Sequence, residues 1–185
     1  MNYLLPLIAV ILGYILALVI QPKKKSNLKL LLAFSGSFLL SVTVISLLPE
    51  VYETKNTTIG LYIMLGILFQ IILEFFSKGA EHGHVHGHQT ITHIPWLLFI
   101  SLCIHALLEG FPVGHHHDLA IGIAIHHLPI AIILTTFFVQ AQLNKKAIFA
   151  FMITFAMMTP LGTLASNYIP GLQEYTTEIT DRKSV

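Results

Sequence analysis

The apolar positions of this chain fall into long, nearly unbroken runs, not into the two-residue alternation of half-buried strands or the narrow stripe of a soluble helix. Six runs reach the roughly 17–25 residues that an α-helix needs to cross a bilayer. They occupy residues 3–21, 28–49, 58–77, 94–113, 119–139 and 146–168, and short polar links join them. The pattern predicts an all-α, polytopic membrane helix bundle of about six transmembrane helices over residues 1–168, followed by a polar C-terminal tail at 169–185. Ser35-Gly36-Ser37 and the Ala120–Gly122–Ala124 group are small enough to let helix backbones approach closely. Pro49, Pro129 and Pro160 fall within or near the ends of these runs. A helix proline frees a carbonyl one turn earlier, which lipid cannot satisfy, so each is expected to face protein or a wet cavity.

Composition strengthens the membrane reading. Charged residues make up 10% of the 185-residue chain, against about 25% in an ordinary soluble domain, and the mean hydropathy is +0.76. The net charge of +1 gives no reason to expect a nucleic-acid partner. The single cysteine, Cys103, excludes an intramolecular disulfide and a cysteine-only zinc cluster. Lys23, Lys24, Lys25, Lys29, Lys78, Lys145 and Lys146 fall on one side of the expected membrane, and only Lys55, Arg182 and Lys183 on the other. By the positive-inside rule this predicts an integral membrane protein with its N-terminus outside, in a setting such as a bacterial cytoplasmic membrane. The first run has no positive residue before it and Lys23–Lys25 after it, which fits a first span better than a cleaved signal.

Eleven histidines are the compositional oddity. A charged side chain at the bilayer centre costs at least about 2.5–3.5 kcal/mol, so ionisable groups inside the fourth and fifth runs need partners, water or a metal. His105 and Glu109 are spaced i, i+4 and share one helical face. An imidazole beside a carboxylate is half of a divalent-metal site. His126 and His127 follow on the next run, about 100° apart on a helix. One is expected to join the His105/Glu109 face while the other meets another helix or a second ion. Taken singly, each histidine is adequately explained as an interhelical hydrogen-bond partner; four ionisable groups on two consecutive runs favour a metal site. Glu74 near Lys78 reads instead as a snorkelling ion pair close to the membrane surface.

Two loop clusters are auxiliary candidates. The inside loop 78–93 carries His82, His84, His86, His88 and His93, and the outside turn carries His115, His116, His117 and Asp118. Both offer donors for borderline cations, at the cost of the conformational entropy that a loop loses on binding.

These residues resemble the ZIP family of zinc and iron permeases. His105-Ala106-Leu107-Leu108-Glu109-Gly110 is similar to the fourth-span motif of that family, and His126-His127-Leu128-Pro129-Ile130-Ala131 to its fifth. The histidine-rich loop after the third run, Leu48-Pro49-Glu50, and Pro160-Leu161-Gly162 are further echoes. The resemblance implies transport of Zn²⁺, or of Fe²⁺, Mn²⁺ or Co²⁺, toward the cytoplasm by an elevator-like movement, with divalent ions and the lipid bilayer as partners and a homodimer left open. It implies no enzyme activity. Family members usually have eight spans, so six runs suggest a short or truncated member. Ala106, His127, Ile130 and Thr159 stand where the family often places ligands of a second metal. The expectation is therefore a single, more neutral site built from His105, Glu109 and His126, with His127 a candidate for an altered second position.

Other classes read less well. A non-transporting membrane metal-binding protein or sensor has the same site and is the main alternative. A six-span efflux carrier keeps both termini inside, against the lysine distribution. A zinc protease needs a His-Glu-x-x-His helix, which is absent. A bis-histidine haem site would draw on His105 and His126.

Overall fold

Apolar helices bury themselves against one another where small side chains let their backbones meet, and that rule organises this bundle. The computed structural model describes residues 4–20, 25–53, 58–77, 95–114 and 117–168. Its helices are α1 (Leu4–Ile20), α2 (Lys25–Val42), α3 (Leu48–Glu53), α4 (Ile59–Ser77), α5 (Trp96–Gly110), α6 (His117–Gln140) and α7 (Lys145–Tyr168). No strand occurs among the described residues. A π-helical turn, Thr43–Leu47, joins α2 to α3, so the second run is one continuous rod. Five rods are long and apolar enough to cross a membrane; α1, at 17 residues, is shorter and rises about 25 Å.

The π turn has a local cause. Pro49 has no N–H and its ring would collide with the carbonyl four residues earlier. The wider turn immediately before it, with Leu48 N–H bonded to the Thr43 carbonyl, accommodates that ring without breaking the rod. The α6–α7 link is equally local. Gln142 takes a left-handed conformation (φ 59°). Its N–H bonds the Val139 carbonyl at 3.2 Å, and Leu143 N–H reaches Phe138 O at 3.0 Å. Leu143 and Phe138 then share the core, completing a Schellman-type stop. Asn144 Oδ1 accepts from Lys146 N–H at 2.9 Å and starts α7.

The core is formed by α1, α5, α6 and α7. Val10, Leu102, Ala106, Ile130, Leu134, Phe138, Phe151 and Phe155 are all buried in it. Phe151 meets Phe99 and Phe138 edge-on, with ring centroids 4.9 and 4.8 Å away, and so ties α5, α6 and α7 together. Helix α2 lies along α6 and α4 along α5, and both leave most of their apolar surface outside the bundle. Phe34 of α2, Ile45 of the π turn, and Met64 and Phe75 of α4 are exposed, as lipid-facing side chains are.

Three glycines set the closest approaches. A Cβ on Gly13 would lie 2.6 Å from the Leu128 carbonyl oxygen, so α1 rests directly on α6 beside Pro129. A Cβ on Gly110 would collide with the Thr159 carbonyl, and one on Gly162 with the Leu107 carbonyl, so α5 and α7 cross backbone on backbone. Thr163 Oγ1 seals that crossing by donating to Gly110 O at 2.8 Å. The expected close approach at Ser35-Gly36-Ser37 is corrected: a Cβ on Gly36 meets nothing within 4 Å, and Ser35 is the buried member of that trio. Gly122 leaves only ordinary van der Waals spacing to Leu39 and Val42.

Gly162→Ala is expected to wedge α5 from α7 and to destabilise the protein by about 1–3 kcal/mol, as overpacking does. Gly36→Ala, with open space around it, serves as the neutral control. Thermal unfolding in detergent checks this: the two variants unfolding at the same temperature would show that the glycine crossing does not constrain the bundle.

Candidate metal centre

Helix α5 projects His105 and Glu109 from one edge because they stand one turn apart. His105 Nε2 lies 3.2 Å from Glu109 Oε1, and the two side chains keep only 13% and 15% of their surface exposed. Helix α6 brings His126 to the same place: His105, Glu109 and His126 each offer a ligand atom, all within 4.8 Å of one another. His127 reaches the other carboxylate oxygen, Glu109 Oε2, at 3.1 Å. His126 is thus the one that joins the His105/Glu109 group, while His127 meets α7 at Phe155 as well as the other carboxylate oxygen.

His127 is the most enclosed of the four, 1% exposed, with its ring edge-on to Phe155 of α7 at 5.3 Å. Its approach to Glu109 is short without being a well-directed hydrogen bond, and Glu109 Oε2 and both His127 nitrogens have no other hydrogen-bond partner. Buried polar atoms in this condition are costly unless a cation or a proton satisfies them. The backbone geometry suits such a site. Helix α5 packs tightly on α7 and on α4, whereas it meets α6 mainly through side chains. That leaves room for long polar groups between α5 and α6.

The donor set is two imidazole nitrogens and one carboxylate oxygen. A tetrahedral Zn²⁺ with bonds of about 2.0–2.1 Å draws its ligand atoms to within about 3.4 Å of each other. The His105–Glu109 pair already has that spacing, and the His126 ligand atom lies within 4.8 Å of both.

Two polar residues behind the histidines escaped the sequence reading. Gln70 of α4 places Oε1 2.9 Å from His105 Nδ1. Ser35 of α2, fully buried, places Oγ 3.4 Å from His126 Nδ1. The signal for Gln70 was available: it is a lone amide within Ile-Leu-Phe-Gln-Ile-Ile-Leu, and an amide in hydrocarbon calls for a partner.

The auxiliary candidates are placed only in part. His82, His84, His86, His88, His93, His115 and His116 lie outside the described residues, as does Lys78. His117 and Asp118 open α6 and are exposed. Asp118 lines a cavity of about 320 Å³ between α2 and α6, with Ser41, Ser46 and Ile121. Ala106, Ile130 and Thr159 are all buried, the first two within the apolar core.

No protein-family model matches this chain, and no solved structure matches it. Two curated proteins do. Zinc transporter ZIP1 of Danio rerio is 25% identical over 110 aligned residues, which cover 46% of this chain and 36% of that protein. Protein zntD of Dictyostelium discoideum is 28% identical over 112, covering 51% of this chain and 16% of that protein. The match therefore spans little more than a third of the first relative and less of the second. The chain is thus similar, over about half its length, to a zinc transporter named for ZIP and to zntD, and it sets its His105–Glu109 and His126–Pro129 motifs side by side on α5 and α6.

Proposed function

We propose that this protein binds a divalent cation, Zn²⁺ foremost, at His105, Glu109 and His126, with His127 on the far carboxylate oxygen, and carries it across the bilayer toward the cytoplasm. The observation that carries this reading is the convergence of three ligand atoms within 4.8 Å inside an apolar bundle, around a carboxylate whose second oxygen has His127 beside it at 3.1 Å. The named function of the Danio rerio relative as a zinc transporter supports the choice of cargo. The lysine distribution supports the inward direction, with the N-terminus outside.

The ligand chemistry narrows the ion. Two nitrogens and one oxygen suit Zn²⁺ and leave its fourth position to water. Fe²⁺, Mn²⁺ and Co²⁺ accept the same donors. Ca²⁺ and Mg²⁺ want several hard oxygens, which this site lacks. One ion is the better count, because Ala106 and Ile130 are packed in the apolar core and leave His127 as the remaining donor for a second. Each residue then has a role at a stated atom. Glu109 supplies the negative charge, His105 and His126 supply neutral nitrogen lone pairs, and His127 holds the second carboxylate oxygen in place.

Purified protein in liposomes is expected to take up Zn²⁺, and Glu109→Ala to abolish both uptake and binding. Its loss of affinity should exceed the about 10- to 100-fold typical of changes outside the ligand set. Stoichiometric binding without flux would instead identify a membrane metal-binding protein, and equal uptake by native protein and Glu109→Ala would remove the site altogether.

Acid is expected to weaken binding. Ligating imidazoles must be neutral, so protons compete with the metal and affinity should fall as the pH is lowered. Zn²⁺ titrations between about pH 7.5 and pH 5.5 measure this, and a flat profile would argue against histidine ligands. Excess Ca²⁺ or Mg²⁺ should fail to displace Zn²⁺ in the same assay.

A further inference from the structure

Helix α4 stands apart from the four-helix core. It packs closely on α5, and most of its remaining surface is exposed hydrocarbon. Its less exposed positions, Ile59, Ile63, Gln70, Leu73 and Glu74, are apolar except at Gln70 and Glu74. That amide turns to the back of His105, with Oε1 2.9 Å from Nδ1.

An amide oxygen only accepts, so with Oε1 turned to the ring the proton sits on Nδ1. A neutral imidazole that is protonated on Nδ1 carries its lone pair on Nε2. That nitrogen is the one facing Glu109 Oε1 at 3.2 Å. The two facing atoms are then both acceptors, and a cation between them resolves the conflict. The other tautomer has the opposite result. With the proton on Nε2, His105 would donate to Glu109 directly, and the pair would satisfy itself. An incoming metal would then have to break that bond and strip that proton before it found a ligand.

We infer that Gln70 is a positioning residue for the cation site: it holds His105 in the Nδ1–H tautomer, so that Nε2 is presented as a lone pair and the His105–Glu109 pair stays open to metal. This rests on the cation site proposed above. Metal-ligating histidines commonly donate their second N–H to such a partner, which fixes the ring and raises its basicity. Here the partner comes from a helix that contributes no ligand of its own. Ser35 stands in the same relation to His126 from α2, but more weakly. Its hydroxyl donates to Leu32 O at 3.1 Å, and its distance to His126 Nδ1 is 3.4 Å. Contact of α4 with α5 thereby bears on metal affinity, although α4 itself does not touch the ion.

The test uses the full chain in detergent, titrated with Co²⁺ as a spectroscopic stand-in for Zn²⁺, together with ¹⁵N-histidine NMR of the metal-free protein. Gln70→Met keeps the bulk and removes the acceptor. It is expected to weaken Co²⁺ binding by about 10- to 100-fold and to move His105 to the Nε2–H form. Gln70→Glu keeps an acceptor and should keep the Nδ1–H form. Ser35→Ala should cost less than Gln70→Met. An Nε2–H tautomer of His105 in the native protein would overturn the inference, as would Gln70→Met binding Co²⁺ like the native chain. The native chain failing to bind Co²⁺ at all, with Glu109→Ala indistinguishable from it, would instead overturn the cation-site reading on which the inference stands.

Discussion

A single carboxylate in hydrocarbon sets the terms for this bundle. Glu109 sits within an apolar helix, nearly enclosed, where an unpaired charge is costly. Its two oxygens face imidazoles on both sides, His105 from its own helix and His127 from the next. That arrangement demands that α5 and α6 be held at a fixed spacing, wide enough for side chains and narrow enough for contact at about 3 Å. Much of the remaining packing can be understood as meeting that demand.

The spacing is held indirectly. The two helices that carry Glu109 and its histidines are each clamped to a neighbour, α5 to α7 at Gly110 and Gly162, and α6 to α1 at Gly13. Backbone-on-backbone contacts leave little freedom to slide, and the Phe99–Phe151–Phe138 edge contacts bind the two clamps together. The prolines fit this scheme. Pro129 and Pro160 lie in buried stretches of α6 and α7, close to the glycine contacts, where neighbouring protein surrounds the backbone. Pro49 stands beside a π turn in the exposed α2–α3 rod, where the helix is free to widen. The shape of the site thus follows from small residues at the crossings more than from the polar residues within it.

The rods were legible in the sequence because hydrocarbon permits few alternatives: each long apolar run became a helix with ends near those expected. The pairing of His105 with Glu109 was legible too, since i, i+4 spacing on a helix is nearly a distance. What could not be read was depth and direction across helices. Nothing in the sequence distinguishes Gly36, which faces open space, from Gly162, which touches a carbonyl. The adjacency of His126 and His127 implied that they point apart, but not that His127 would meet both Glu109 and Phe155 of α7. Gln70 was passed over because it is neither charged nor a ligand, although its isolation among apolar neighbours marked it.

The neutral positions around the site bear on what it selects. Ala106 and Ile130 are tight in the apolar core, so charge near Glu109 cannot be increased by those residues, and the site carries one formal negative charge from its carboxylate. A doubly charged ion held there leaves a net positive centre in a low-dielectric setting, which neutral imidazoles stabilise less than carboxylates would. Such a site favours ions whose bonds to nitrogen are strong, and releases them more readily than a doubly acidic one. A proposed carrier needs both properties: it must compete with water for its ion on one side of the membrane and lose that competition on the other. Holding His105 open through Gln70 serves the first requirement without adding the negative charge that would hinder the second.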